Sequence, residues 1–126
     1  MTTQRIVLAN DSRLVREMLK RIFLKSSSLE VAFEIDDHKN LAEEIEDEEV
    51  EWVILSLPVN NHMPRWIDSY LERHPLVHFL AVSSDGSQVK MKCREKKEEH
   101  LVNLSLHDLL YLLEKHATKQ PVLQTN

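Results

Sequence analysis

At 126 residues, with 42% hydrophobic and 29% charged side chains, the chain suits one domain with a true core and is too apolar for a disordered segment. A formal net charge of −5 and a pI of about 5.8 give no general attraction to phosphate backbones, which argues against nucleic-acid binding. A lone cysteine, Cys93, and a lone glycine, Gly86, exclude an internal disulfide, a cysteine zinc cluster and glycine-rich nucleotide loops.

The chain opens on "RIVLAN" (Arg5–Asn10), a β-branched run ending in polar residues, which predicts a buried strand. In "SRLVREMLKRIFLKSS", Leu14, Met18, Ile22 and Val15, Leu19, Phe23 recur at helical spacing, with Asp11 or Ser12 as the N-cap. Serines 26–28 end that helix. "LEVAFEI" (Leu29–Ile35) predicts a second strand, and "DDHKNLAEEIEDEE" a short acidic helix held by Leu41, Ala42 and Ile45. "EWVILSLP" is apolar on both faces from Trp52 to Leu55, as a central covered strand would be. Pro64 can open a helix that turns Trp66, Ile67, Tyr70 and Leu71 inward and stops at Pro75. "LVHFLAVS" (Leu76–Ser83) is the fourth strand.

After Ser83 the pattern changes. In "SSDGSQVKMKCRE" an Asp-Gly turn signal precedes strict alternation of Val89, Met91 and Cys93 with Lys90, Lys92 and Arg94. A helix there would have only Val89 and Cys93 on one face, so a β-hairpin is favoured. "HLVNL" (His100–Leu104) offers a last short strand. In "SLHDLLYLLEKHA" Ser105 and Asp108 make a capping box ahead of the stripe Leu106, Leu109, Leu110 and Leu113.

Strand and helix alternating over short links predict an α/β protein with a doubly wound, mainly parallel sheet. Ligands of such folds sit at the carboxyl ends of the strands, here Asn10, Asp11, Ser56 and Ser83. With these elements placed, the chain resembles the receiver domain of bacterial two-component response regulators. "IVLANDSRLVREMLKRIF", "EWVILSLPVNNHMP" and "VHFLAVSS" carry the resemblance, which spans Arg5 to His116 and is most specific through Ser84. It implies a receiver or flavodoxin-like sheet over 1–116, to which the alternation after Ser83 adds an atypical C-terminal third with a hairpin in place of the fourth helix. Residues 117–126 would be a tail or linker.

A working receiver, as the resemblance implies, holds magnesium with an acidic pair after the first strand and an aspartate after the third. That aspartate takes the phosphoryl group, and a hydroxyl after the fourth strand and a lysine after the fifth contact it. Carried onto this chain, the acidic pair is Asn10 and Asp11, the phosphoacceptor Ser56 and the hydroxyl Ser83. The lysine's place falls at Val102 or Asn103. Three carboxylates have fallen to one, too little for a magnesium ion that sheds its waters reluctantly. Ser56 cannot form an acyl phosphate, and no ammonium group balances an added phosphate. No cofactor, no metal and no enzymatic activity are expected.

Blander roles stand beside these. For Asp11 the blander role is a helix cap, and for Ser83 a turn residue. His74 and His78 are separated by Pro75, which argues against a shared metal. Ser56, His62 and Asp11 are the only hydrolase set on offer, without a nucleophile elbow.

The expectation is therefore a phosphorylation-independent pseudo-receiver that binds a protein partner or a second copy of itself in signal transduction. Its alternative is the receiver part of a transcriptional regulator whose output domain is not in this chain. The expected contact surface is the C-terminal third: Val89, Met91 and Cys93 on an edge strand, and Leu106 and Leu110 on the last helix. Edge lysines discourage random pairing yet leave main chain for a chosen partner, including a homodimer mate. No apolar run approaches the roughly 18–20 residues of a membrane span, and "MTTQRIVLAN" lacks a signal-peptide apolar region. The expected compartment is the cytoplasm.

Overall fold

The computed structural model describes residues 3–35, 40–60, 62–85, 87–94, 99–102, 105 and 107–114. In chain order the elements are β1 (Gln4–Ala9), α1 (Arg13–Phe23), β2 (Leu29–Glu34), α2 (Leu41–Ile45) and β3 (Trp52–Ser56). These are followed by α3 (Trp66–Arg73), β4 (His78–Val82), β5 (Gln88–Cys93), β6 (Glu99–Val102) and a final helix, α4, over 107–114. The six strands form one sheet in the order β2-β1-β3-β4-β5-β6.

The pairings β1 with β2, β1 with β3, and β3 with β4 are parallel, whereas β4 with β5 and β5 with β6 are antiparallel. The sheet is thus mixed, and the expected doubly wound, mainly parallel receiver or flavodoxin-like sheet is not what forms. The cause lies in the connections. A parallel neighbour needs a crossover of about a dozen residues or more, whereas only residues 83–87 lie between β4 and β5, and only 94–98 between β5 and β6. Both links are long enough only for a reversal of direction.

The two faces of the sheet carry separate cores. One combines Val53, Leu55, Phe79 and Ala81 with Leu41 and Ile45 of α2 and Ile67, Tyr70 and Leu71 of α3. The other combines Ile54, Leu80, Val89 and Met91 with Val15, Leu19, Ile22 and Phe23 of α1 and Leu109 and Leu113 of α4. β3 is covered on both sides, which explains its unbroken apolar run from Trp52 to Leu55. Edge strand β2 is irregular: its register with β1 shifts between Ile6, opposite Val31, and Val7, opposite Phe33. Such a bulge twists an edge and discourages indiscriminate pairing.

Local signals explain the helix ends. Ser12, rather than Asp11, caps α1: its Oγ accepts the Val15 amide at 3.3 Å. Ser105 and Asp108 cap α4 reciprocally, Ser105 N donating to Asp108 Oδ2 at 3.1 Å and Asp108 N to Ser105 Oγ at 3.0 Å. On α1, Leu14 and Met18 do not point inward as expected; they are 69% and 37% exposed. The buried stripe Val15-Leu19-Ile22 fills the space over the sheet and leaves them one position off it. Among the described residues no helix is long and apolar enough to cross a membrane.

Candidate functional site

The carboxyl ends of β1, β3 and β4 lie side by side, because Ala9 is in register with Leu55 and Ser56 with Val82. Asn10, Asp11, Ser56 and Ser83 are therefore gathered at one end of the sheet by three adjacent parallel strands. Asn10 is buried at 1% exposure, and neither its Oδ1 nor its Nδ2 has a protein partner among the described residues. Its carbonyl accepts from Arg16 Nη1 at 2.5 Å. Arg16 Nε lies 3.6 Å from Glu34 Oε1, and Lys20 Nζ lies 2.7 Å from Glu34 Oε2, so α1 is tethered to the end of β2. The hydrogen bond that the Lys20 ammonium donates to Glu34 raises it above its ordinary pKa, against a smaller opposing effect of burial.

Asp11 is exposed, and its amide donates to Ser56 Oγ at 2.7 Å. The Ser56 hydroxyl thus fastens the loop after β1 to the end of β3. Ser83 is likewise a fastener. Its hydroxyl donates to Asp85 Oδ1 at 2.8 Å and accepts the Gln88 amide at 3.0 Å, while its own amide donates to Gln88 O at 2.9 Å. Asp85 Oδ1 also accepts the Ser87 amide at 2.9 Å and the Ser87 hydroxyl at 2.8 Å. These bonds, the Ser87 amide first, hold the Asp85 carboxyl down to about 2. Ser83, Asp85 and Ser87 thus tie the two ends of the β4–β5 link together.

Val102 ends β6, opposite Gln88, and is 55% exposed. β5 intervenes between β4 and β6, so Val102 stands two strand spacings, roughly 10 Å, from the line of β4. A parallel fifth strand would have ended beside Ser83; the reversal at residues 83–87 removes that arrangement. Asn103 and Leu106 lie outside the described residues, as does the 117–126 tail.

The expected contact surface is also redrawn. β5 is an interior strand, flanked by β4 and β6, and not an edge. Val89 and Met91 are core residues at 1% and 3% exposure, and Cys93 and Leu110 are half-buried. The lysines of β5 do not simply face solvent: Lys92 Nζ pairs with Asp68 Oδ1 of α3 at 2.6 Å. Alternation identified the strand, but alternation alone does not say whether one more strand will follow outside it.

For hydrolysis the geometry is poor. His62 is exposed, and its backbone amide donates to Asn60 Oδ1, while Ser56 Oγ bonds the Asp11 amide and no histidine among the described residues. No group of three or more His, Cys, Asp or Glu side chains among the described residues is placed to share a metal ion. His74 and His78 serve packing: His78 stacks on Trp52 at 4.8 Å and His74 on Tyr70 at 4.2 Å.

A second ionic network, which no sequence pattern pointed to, lies at the opposite end of the sheet. Glu46 takes both Arg73 Nη2, at 2.7 Å, and Arg73 Nε, at 3.0 Å, and also meets His74 Nε2 at 2.9 Å. The Arg73 guanidinium, then His74, hold the Glu46 carboxyl down to about 2. Beneath it the Tyr70 hydroxyl donates to Ile45 O at 3.1 Å, and burial pushes that phenol up to about 12.

No protein-family model matches the chain, and no curated protein or solved structure matches it either.

Proposed function

We propose that this chain is a phosphorylation-independent pseudo-receiver: a cytoplasmic, non-enzymatic regulatory module that acts by binding a protein partner. The observation that carries this is the engagement of both strand-end hydroxyls in structural bonds, Ser56 with the Asp11 amide and Ser83 within the β4–β5 turn. Phosphoryl transfer needs a carboxylate acceptor, clustered oxygens for a cation and a positive group for the added charge. Of these, the strand ends offer two exposed carboxylates, Asp11 and Asp85, and Asp85 is already engaged by the Ser83 hydroxyl. The likeness of residues 5–84 to a receiver supports kinship with that family, and the mixed sheet marks the departure from it. Without charge to add at the strand ends, any conformational bias must come from a partner's differential binding.

The test is incubation with acetyl phosphate and magnesium, read by intact mass. The expected product is unmodified protein. A stoichiometric phosphoryl adduct on Asp11, Ser56 or Ser83 would overturn the proposal.

A further inference from the structure

Between α1, α4 and the β4–β5 turn lies a groove of about 230 Å³. Leu14 and Met18 of α1, Val89 of β5 and Leu109 of α4 supply its apolar wall, and Asp85 and Ser105 lie at its polar margin. A dry cavity of roughly 150 Å³ holds a benzene ring, so this volume admits one large apolar side chain and not a whole helix. Its wall is accessible: Leu14, at 69% exposure, and Met18, at 37%, are large apolar groups that the fold leaves uncovered.

Charge indicates what covers them. Asp85 lines the groove, and Asp108 is bonded to the lining residue Ser105. The bonds these two carboxylates accept come from serine hydroxyls and backbone amides, and no cation among the described residues pairs with either. Elsewhere half-buried Glu46 pairs with Arg73 and exposed Asp68 with Lys92. An apolar slot flanked by two anions without counter-ions is complementary to a cationic, amphipathic segment.

We propose that this groove docks a basic amphipathic peptide segment of a partner protein, with one large apolar side chain in the slot and neighbouring Lys or Arg residues against Asp85 and Asp108. This rests on the partner-binding role above and names its surface and chemistry. The apolar anchor would supply most of the affinity, as a buried side chain at the centre of a contact does. The two carboxylates would select against acidic competitors.

The test uses the whole chain and two synthetic helical peptides of Leu with Lys and of Leu with Glu, followed by fluorescence anisotropy. Methyl NMR locates the contact, and sedimentation follows self-association. The Leu/Lys peptide should bind saturably and shift the methyl signals of Leu14, Met18, Val89 and Leu109. The Leu/Glu peptide, and the Leu14→Ser variant with the Leu/Lys peptide, should each bind roughly tenfold more weakly or worse. Leu14 is exposed, so circular dichroism of the variant should match the parent. Equal affinity for both peptides, or no effect of Leu14→Ser in a folded variant, overturns the proposal. Self-association that Leu14→Ser abolishes would assign the surface to a second copy and equally overturn it. Neither result touches the pseudo-receiver role, whose failure is read separately as a phosphoryl adduct.

Discussion

Truncating Ile54 to Ala tests whether β3 is the doubly covered centre of the sheet. Ile54 is fully buried in the core shared with α1 and α4, while its neighbour Leu55, at 2% exposure, belongs to the core shared with α2 and α3. Each truncation removes three carbons, which at about 0.8 kcal/mol apiece amounts to roughly 2.4 kcal/mol of lost transfer free energy. The cavity left behind raises this, so each variant should lose about 2–5 kcal/mol. Against a typical domain stability of about 5–15 kcal/mol, such losses move a urea midpoint far outside error. Leu76→Ala, at a site 73% exposed, is the control and should change stability by no more than about 0.5 kcal/mol. If only one of the two β3 variants loses stability, one face of the strand is not packed and the two-core description is wrong.

Two further outcomes follow from the sheet and its charges. Met91→Pro removes a backbone donor and a core side chain from a strand paired on both sides, so it should unfold the chain or cost it at least about 2–5 kcal/mol; a folded variant of native stability would mean that β5 is not interior. Glu46→Gln should flatten the acid limb of the stability curve. Glu46 titrates near 4.5 when unfolded and near 2 when folded, so the unfolded chain binds its proton first as pH falls. The stabilisation from Arg73 and His74 is whole above pH 4.5 and is lost as pH falls toward 2. Urea titrations across that window should show the parent and variant converging; a constant gap would contradict the assignment.

Much of the element order was legible because the residues announce it. Trp52–Leu55 without a polar break fits only a covered strand, Val15-Leu19-Ile22 only an amphipathic helix, and Ser105 with Asp108 a helix start. The gathering of Asn10, Asp11, Ser56 and Ser83 at one sheet end followed from strands that run parallel. What the sequence did not disclose was global. Whether β5 would lie at an edge depended on where the last short strand, read at His100–Leu104 and formed by Glu99–Val102, would pair, and so short a strand does not say. The reversal between β4 and β5 was legible, in the Asp-Gly turn signal and the alternation of Val89, Met91 and Cys93 that favoured a hairpin. The exposure of Leu14 and Met18 was hidden because a helix shows two apolar stripes when only one meets the sheet. The Glu46, Arg73 and His74 network joins residues far apart in sequence, so no local pattern carries it.

The most direct measurement of the central claim is a titration with magnesium and beryllofluoride, followed at the backbone amides of Asp11 and Ser56 by NMR. Their hydrogen bond links the two strand ends where a phosphoryl mimic would have to bind. A pseudo-receiver without an acceptor carboxylate leaves both signals unshifted at every concentration, apart from the general effect of ionic strength. Saturable shifts confined to Asp11, Ser56 and the Ser83 turn would mean that the site still binds a phosphoryl group, and would contradict it.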